Sequence, residues 1–288
     1  MRKLFGTLGA MAAGLVGAGL VTAGAALASE EVAGKPVPAG TGFQRPVTEQ
    51  MADLVWLDDM LLVIITAIVI FVTGLLLYTV WRFDARRNPT PATFTHNATV
   101  EVVWTAVPVL ILVVIAIPSL RLLDKQLTIP ETEITIKAIG NQWYWEYQYP
   151  DQEVEISAYM LDRDELEEYG YEQDEYLLAT DTRIVIPVDT NVHLLVTASD
   201  VIHNWAMPSF GIKTDAIPGR VNEAWFNVSE TGTYFGQCSE LCGMHHAYMP
   251  IVVEVVTREE YDAWIAEELA KKQGGPALAQ APAETALD

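Results

Sequence analysis

The sequence predicts an N-terminal transmembrane α-helical hairpin followed by an all-β sandwich. Three observations predict it. "MLLVIITAIVIFVTGLLLYTVW", residues 60–81, has no charge over 22 positions. "VVWTAVPVLILVVIAIPSL", residues 102–120, has none over 19. From about residue 130 the chain turns β-branched and aromatic, in short runs separated by Pro, Gly, Asn and Asp.

The first 28 residues have the pattern of a secretory signal peptide. Arg2 and Lys3 form a short basic region, an uncharged Ala/Gly/Leu/Val run follows, and Ala26-Leu27-Ala28 offers a small-residue cleavage site before Ser29. A first membrane span is the rival reading, and the Gly/Ala-rich run argues against it. Export puts the rest of the chain where disulfides are permitted. Residues 29–57 carry Gly, Pro and charge without periodicity and read as an irregular arm. The hairpin is assigned to residues 58–125, because about 20 apolar residues suffice to cross a bilayer. Pro108 and Pro118 are tolerable in such a helix when neighbours re-satisfy the backbone. The connecting loop holds Arg82, Arg86 and Arg87 against Asp84 alone. By the positive-inside rule it is cytoplasmic, so both termini and the β domain lie on the outer side of the membrane, in agreement with the signal peptide.

The β domain is assigned to residues 126–258. "EITIKAIGNQWYWEYQY", "TRIVIPV", "NVHLLVTA", "EAWFNV", "GTYFGQ" and "IVVEVV" read as strands of an antiparallel sandwich. Residues 162–177 are acidic and Tyr-rich and read as an inserted loop or short helix. Residues 259–273 read as an amphipathic C-terminal helix, and the Ala/Pro/Gly-rich tail 274–288 as disordered. The net charge is −21, which argues against nucleic acid and for a basic protein partner.

Both cysteines fall in "GQCSELCGMHHAYMP", residues 236–250. On compartment alone a disulfide is the favoured reading. The spacing opposes it, since a ring closed over four residues constrains little of the unfolded chain. Around Cys238 and Cys242 stand His246 and Met249, a soft ligand set that selects copper or zinc. His203, 35 residues before Cys238, supplies a second imidazole. Zinc is the rival metal, but it leaves the Met without a role. A single blue copper uses one Cys, and here there are two. The reading that uses every donor is a pair of coppers bridged by both thiolates. Each copper then has one imidazole, with the Met249 sulfur completing one and a backbone carbonyl the other.

With "GNQWYWEYQYP", "VIHNWAMPSFGIKTDAIPGR" and the cysteine loop, the chain resembles subunit II of the bacterial cytochrome c oxidases over residues 43–265. The resemblance implies a cupredoxin-like Greek-key domain with a dinuclear copper centre, CuA. Its ligands fall on His203, Cys238, Cys242, His246, Met249 and the backbone carbonyl of Glu240. It further implies a magnesium ion shared with subunit I through the Glu240 side chain, and no haem in this chain. Related quinol oxidase subunits lack the cysteines, and nitrous oxide reductase lacks the membrane hairpin. A rival from another class is a membrane-tethered copper chaperone or thiol-redox protein, which would leave His203, Met249 and Trp143 without purpose. The implied partners are the haem-bearing subunit I, other oxidase subunits and a soluble cytochrome c. The implied complex is a proton-translocating oxidase in the cytoplasmic membrane.

The same resemblance places electron arrival at Trp143 and proton uptake at Glu101. An acid in a first helical turn is also favoured by the macrodipole alone. Strand alternation assigns Trp143, Trp145, Tyr147 and Tyr149 to one face. An acidic docking patch is expected from Glu146, Asp151, Glu153, Glu155, Asp181 and Asp200. Some relatives are acidic at positions 148 and 157, where this chain has Gln148 and Ser157. Residues 210–220, with Lys213, Asp215 and Arg220, are expected against subunit I.

Overall fold

A computed structural model of the chain describes residues 34–90 and 92–274. The expected signal peptide and the expected disordered tail after residue 274 lie outside the described residues. The chain divides into two compact units, one holding the long helices together with Pro208–Gly211 and the other holding the strands.

Helix α1 spans Glu49–Arg82 and helix α2 spans Ala98–Leu127. Both are long and apolar enough to cross a membrane. Their side chains face outward: Val63 is 71% exposed, Leu77 66% and Val80 75%. Such a surface would drive association in water and suits hydrocarbon. The start of α1 corrects the expected arm of residues 29–57, for the helix begins at Glu49. Thr48 caps it, accepting from the Met51 amide at 3.1 Å, and Glu49 occupies the acid-favouring first turn. Charge hid this start from a reading based on apolarity. In the fold Lys125 of α2 answers it, 2.7 Å from both Glu49 and Asp53. The Val47 amide also donates to Ser209 at 3.2 Å, and Thr48 Oγ1 donates to the Phe210 carbonyl at 2.8 Å.

The second unit is a two-sheet sandwich, the architecture expected. Its strands are β1 (Ile134–Asn141), β2 (Tyr144–Tyr149), β3 (Val154–Ala158), β4 (Ile184–Pro187), β5 (Val192–Ala198), β6 (His203–Met207), β7 (Ile212–Ala216), β8 (Asn222–Phe226), β9 (Gly232–Cys238) and β10 (Pro250–Val256). One sheet runs β3-β2-β1-β5-β8 and the other β4-β10-β9-β6-β7. The sheets are mixed and not wholly antiparallel, because β1 pairs in parallel with β5, and β4 with β10. Both pairs join strands far apart in sequence, which allows the crossover that parallel pairing needs. Trp145, Tyr147 and Tyr149 alternate inward along β2, and Trp205 stacks on Phe226 at 6.3 Å.

The acidic segment after Leu161 is a chain of turns with one 3-10 turn at Gln173–Glu175. Leu166 and Tyr171 anchor it on Phe235 and Val252. Helix α3 (Arg258–Gly274) closes the unit, with Trp264 5.4 Å from the Tyr149 ring. Thr257 and Glu260 cap its start by exchanging bonds, 3.3 Å from the Glu260 amide to Thr257 Oγ1 and 2.9 Å from the Thr257 amide to the Glu260 carboxylate.

Candidate metal centre

Three strands and one loop bring the donors together. β6 begins at His203 and runs antiparallel to β9, with Trp205 opposite Cys238. β9 ends at Cys238, and β10 returns beside it with Pro250 opposite Gln237. Met249 is thereby folded back over the cysteines, and the Cys238 amide donates to its carbonyl at 3.4 Å. Between β9 and β10 the loop turns at Gly243, whose φ of +121° lies in the region that glycine tolerates.

His203, Cys238 and Cys242 are buried, with ligand atoms all within 4.8 Å of one another. The two sulfurs stand 3.9 Å apart, too far for a disulfide at about 2.05 Å. Cys238 Sγ lies 4.0 Å from His203 Nδ1, and Cys242 Sγ lies 3.6 Å from His246 Nδ1. Met249 Sδ is 3.5 Å from Cys242 Sγ, and the Glu240 carbonyl is 3.4 Å from Cys238 Sγ. Ligands held about 2.0–2.3 Å from one tetrahedral metal stand about 3.3–3.8 Å apart. Each of these pairs is close to that separation. The thiol, thioether and imidazole donors are compatible with a copper site.

The electrostatics separate the two thiols. Burial raises Cys238, but the His203 ring and the backbone of Asn204 and Glu240 outweigh it and leave the thiol below its ordinary value. Cys242 is pushed up, first by burial and then by charge on Cys238. Proton loss is therefore shared unequally across the pair. Burial also lowers the His203 imidazole, while its bonds to Cys238 and Asp200 offset this and hold it above the usual histidine range.

The surroundings of the donors revise several expectations. Asp200, expected in an acidic docking patch, turns its carboxylate inward. Oδ1 lies 2.9 Å from His203 Nε2 and accepts from the Val201 amide at 2.6 Å, and Oδ2 accepts from the Gln142 amide at 2.7 Å. An acid on Nε2 leaves Nδ1 facing the thiols, as metal-binding histidines require. Trp143 leaves the strand face assigned to it. β1 stops at Asn141 and β2 starts at Tyr144, so Trp143 lies in the two-residue turn, half-buried. Its indole N–H donates to the Cys242 carbonyl at 3.2 Å, and the Gln142 side chain donates to the same oxygen at 2.7 Å. His245 meets the Trp143 ring edge-on at 4.7 Å. Trp145 donates to the Met249 carbonyl at 3.3 Å, and its ring lies 6.0 Å from His203. Trp145 is buried, as its strand pattern predicts; the bonds that Gln142 and Trp145 make to the loop gave no signal in the sequence, because they are contacts across the fold.

The remaining candidates disperse. Glu146 accepts from Gln148 at 2.8 Å, and Asp181 accepts from the Tyr159 amide at 2.8 Å. Asp151, Glu153 and Glu155 are exposed. On the β2–β3 pair Glu146 faces Ser157, and Gln148 faces Glu155. Asp215 accepts from Asn204 at 2.7 Å, Lys213 is exposed on β7, and Arg220 is exposed after it. The exposed Glu240 contributes its carbonyl to the cluster. Glu101 accepts from the Asn97 amide at 3.3 Å at the head of α2, a capping contact.

The family description "Cytochrome C oxidase subunit II, transmembrane domain" matches residues 36–122, and "Cytochrome C oxidase subunit II, periplasmic domain" matches residues 134–256. The chain belongs to the cytochrome c oxidase subunit II family. It is 50% identical over 251 residues to cytochrome c oxidase subunit 2 of Cereibacter sphaeroides, covering 82% of this chain and 83% of that one. A probable cytochrome c oxidase subunit 2 of Rickettsia bellii is 49% identical over 237 residues, covering 82% of this chain and 87% of its own. Among solved structures, the periplasmic domain of subunit II of the Bradyrhizobium japonicum cytochrome oxidase is 45% identical. It covers 50% of this chain and 99% of that one, with a TM-score of 0.46.

Replacing Asp200 by Ala removes the group that orients His203. We expect copper retention by the full chain to fall about 10–100-fold, measured by competition with a chelator. Retention equal to the parent would remove Asp200 from the centre.

Proposed function

We propose that this chain is the electron-receiving subunit of a respiratory haem-copper oxidase and holds a dinuclear copper centre of the CuA type. The observation that carries the reading is the pair of buried free thiols 3.9 Å apart, each with an imidazole of its own. Cys238 and Cys242 would hold the metals as thiolates. His203 and His246 would each hold one, and Met249 and the Glu240 carbonyl would complete the set. When bound, the copper pair supplies a one-electron store whose charge is shared over both metals.

The protein's own groups give that store its setting. Burial of Cys238, Cys242, His203 and Met249 keeps water from the donors. Trp143 stands partly in solvent and partly against the Cys242 carbonyl, which suits a group that receives electrons from a soluble, basic cytochrome c and passes them inward. Glu146 and Glu155, on the outer face of β2 and β3, supply negative charge to steer such a donor. The exposed Glu240 carboxylate would share a magnesium ion with subunit I. Lys213 and Arg220 would face that subunit. The Arg-bearing loop between α1 and α2 would lie in the cytoplasm, with both termini outside and Glu101 at the inner surface to take up protons.

Metal analysis of the full chain, isolated in detergent and loaded with copper, should give two coppers per chain, with a purple colour from thiolate-to-copper charge transfer. One copper, or zinc in preference, would sink the dinuclear reading. Trp143→Phe should slow electron transfer from cytochrome c at least tenfold while leaving donor binding and the copper spectrum intact. Glu146→Gln should instead weaken binding, and the loss should shrink at high salt. Parent-rate transfer by the Phe variant would move electron arrival elsewhere. Glu101→Ala should slow turnover with assembly and copper spectrum unchanged. Unaltered turnover would leave Glu101 with its capping contact alone.

A further inference from the structure

The inward-facing residues of β1 shrink towards the metal end of the sandwich. They are Ile134, Ile136, Ala138 and Gly140, all buried, with the partly covered Thr135, Lys137 and Ile139 between them. The series ends opposite His203. A Cβ built on Gly140 would stand 2.8 Å from His203 Cδ2, 2.9 Å from Cγ and 3.0 Å from Cβ. Ordinary carbon contacts begin at about 3.5 Å. Gly140 is paired on both sides, with Trp145 on β2 and with Ala198 on β5, so its backbone cannot retreat alone.

His203 cannot retreat either. Its side chain is 0% exposed. Asp200 holds Nε2 at 2.9 Å, the Trp145 ring stands edge-on at 6.0 Å, and Cys238 Sγ lies 4.0 Å from Nδ1. The imidazole thus sits in a slot with the Gly140 backbone as one wall. A methyl group there would displace the ring by several tenths of an ångström. Metal–ligand distances tolerate about 0.2 Å.

We infer that Gly140 is a positioning residue for His203: the absence of a side chain there sets where the imidazole stands relative to the two thiols. The role is separate from the turn-forming use of glycine, since none of the conformations that favour glycine is found at Gly140. Gly236 is a contrast within the same unit. A Cβ there would strike the Ala206 carbonyl, a backbone group, so that glycine serves strand packing and not a ligand.

The spectroscopic arm of the test rests on the copper reading above, and the stability arm does not. The full chain in detergent is compared as parent, Gly140→Ala, His203→Ala and the double variant. In the copper-loaded chain, Gly140→Ala should lower copper retention about tenfold or more and alter the paramagnetic signal of one imidazole, leaving that of the other. Parent-like retention and spectrum would overturn the inference. In the metal-free chain, Gly140→Ala should lower the unfolding temperature when His203 is present and much less when it is Ala. Equal losses in both backgrounds would reduce Gly140 to a strand residue and overturn the positioning role. If Gly140→Ala alone does not fold, recovery of folding in the double variant supports the inference and continued failure overturns it. A parent that binds no copper, together with His203-dependent destabilisation, would reject the copper reading and keep the slot.

Discussion

The ladder of β6, β9 and β10 is the constraint on which the rest depends. Two strands distant in sequence place Trp205 against Cys238, and a return strand places Pro250 against Gln237. From those registers His203, Cys238 and Met249 arrive in one buried volume without any of them being adjacent in sequence. A slip of one residue would turn Cys238 to the opposite face of its sheet, because side chains alternate along a strand. The loop from Cys238 to Met249 needs only to close a path whose ends the sheet has already set. Sheets of this kind are rigid enough to hold ligands to the few tenths of an ångström that a metal demands.

Around that ladder the first sheet does a different job. It lends the β1–β2 turn, whose Gln142 and Trp143 both donate to the Cys242 carbonyl. The Gln142 amide reaches Asp200, and Asp200 reaches His203. One short turn therefore touches both ends of the donor set. This arrangement uses Asp200, part-exposed at 32%, to hold a histidine that is wholly buried. The same turn carries Trp143 to the edge of the site, where the residue remains partly in reach of solvent.

The helical unit follows a simpler rule. Its apolar side chains are outward and its charges are gathered at the ends, with Lys125 between Glu49 and Asp53. Helix geometry satisfies the backbone within each span, which hydrocarbon requires. The acids that obscured the start of α1 are the residues that extend the helix beyond its apolar stretch.

By itself the sequence determined the classes of structure and the chemistry of the donors. Uncharged runs of bilayer length read as spanning helices, and alternating β-branched and aromatic runs read as strands. Two thiols, an imidazole and a thioether within twelve residues announce a soft metal whatever the fold. Those properties are local, so they can be read locally. Tertiary structure alone decided the rest. It made the sheets mixed, began α1 at Glu49, moved Trp143 off the strand face and turned Asp200 from solvent to His203. It also gave Gly140 a neighbour 63 residues away. Each of these depends on which groups meet across the two sheets. That is set by register and packing, which a single strand does not carry in its own residues.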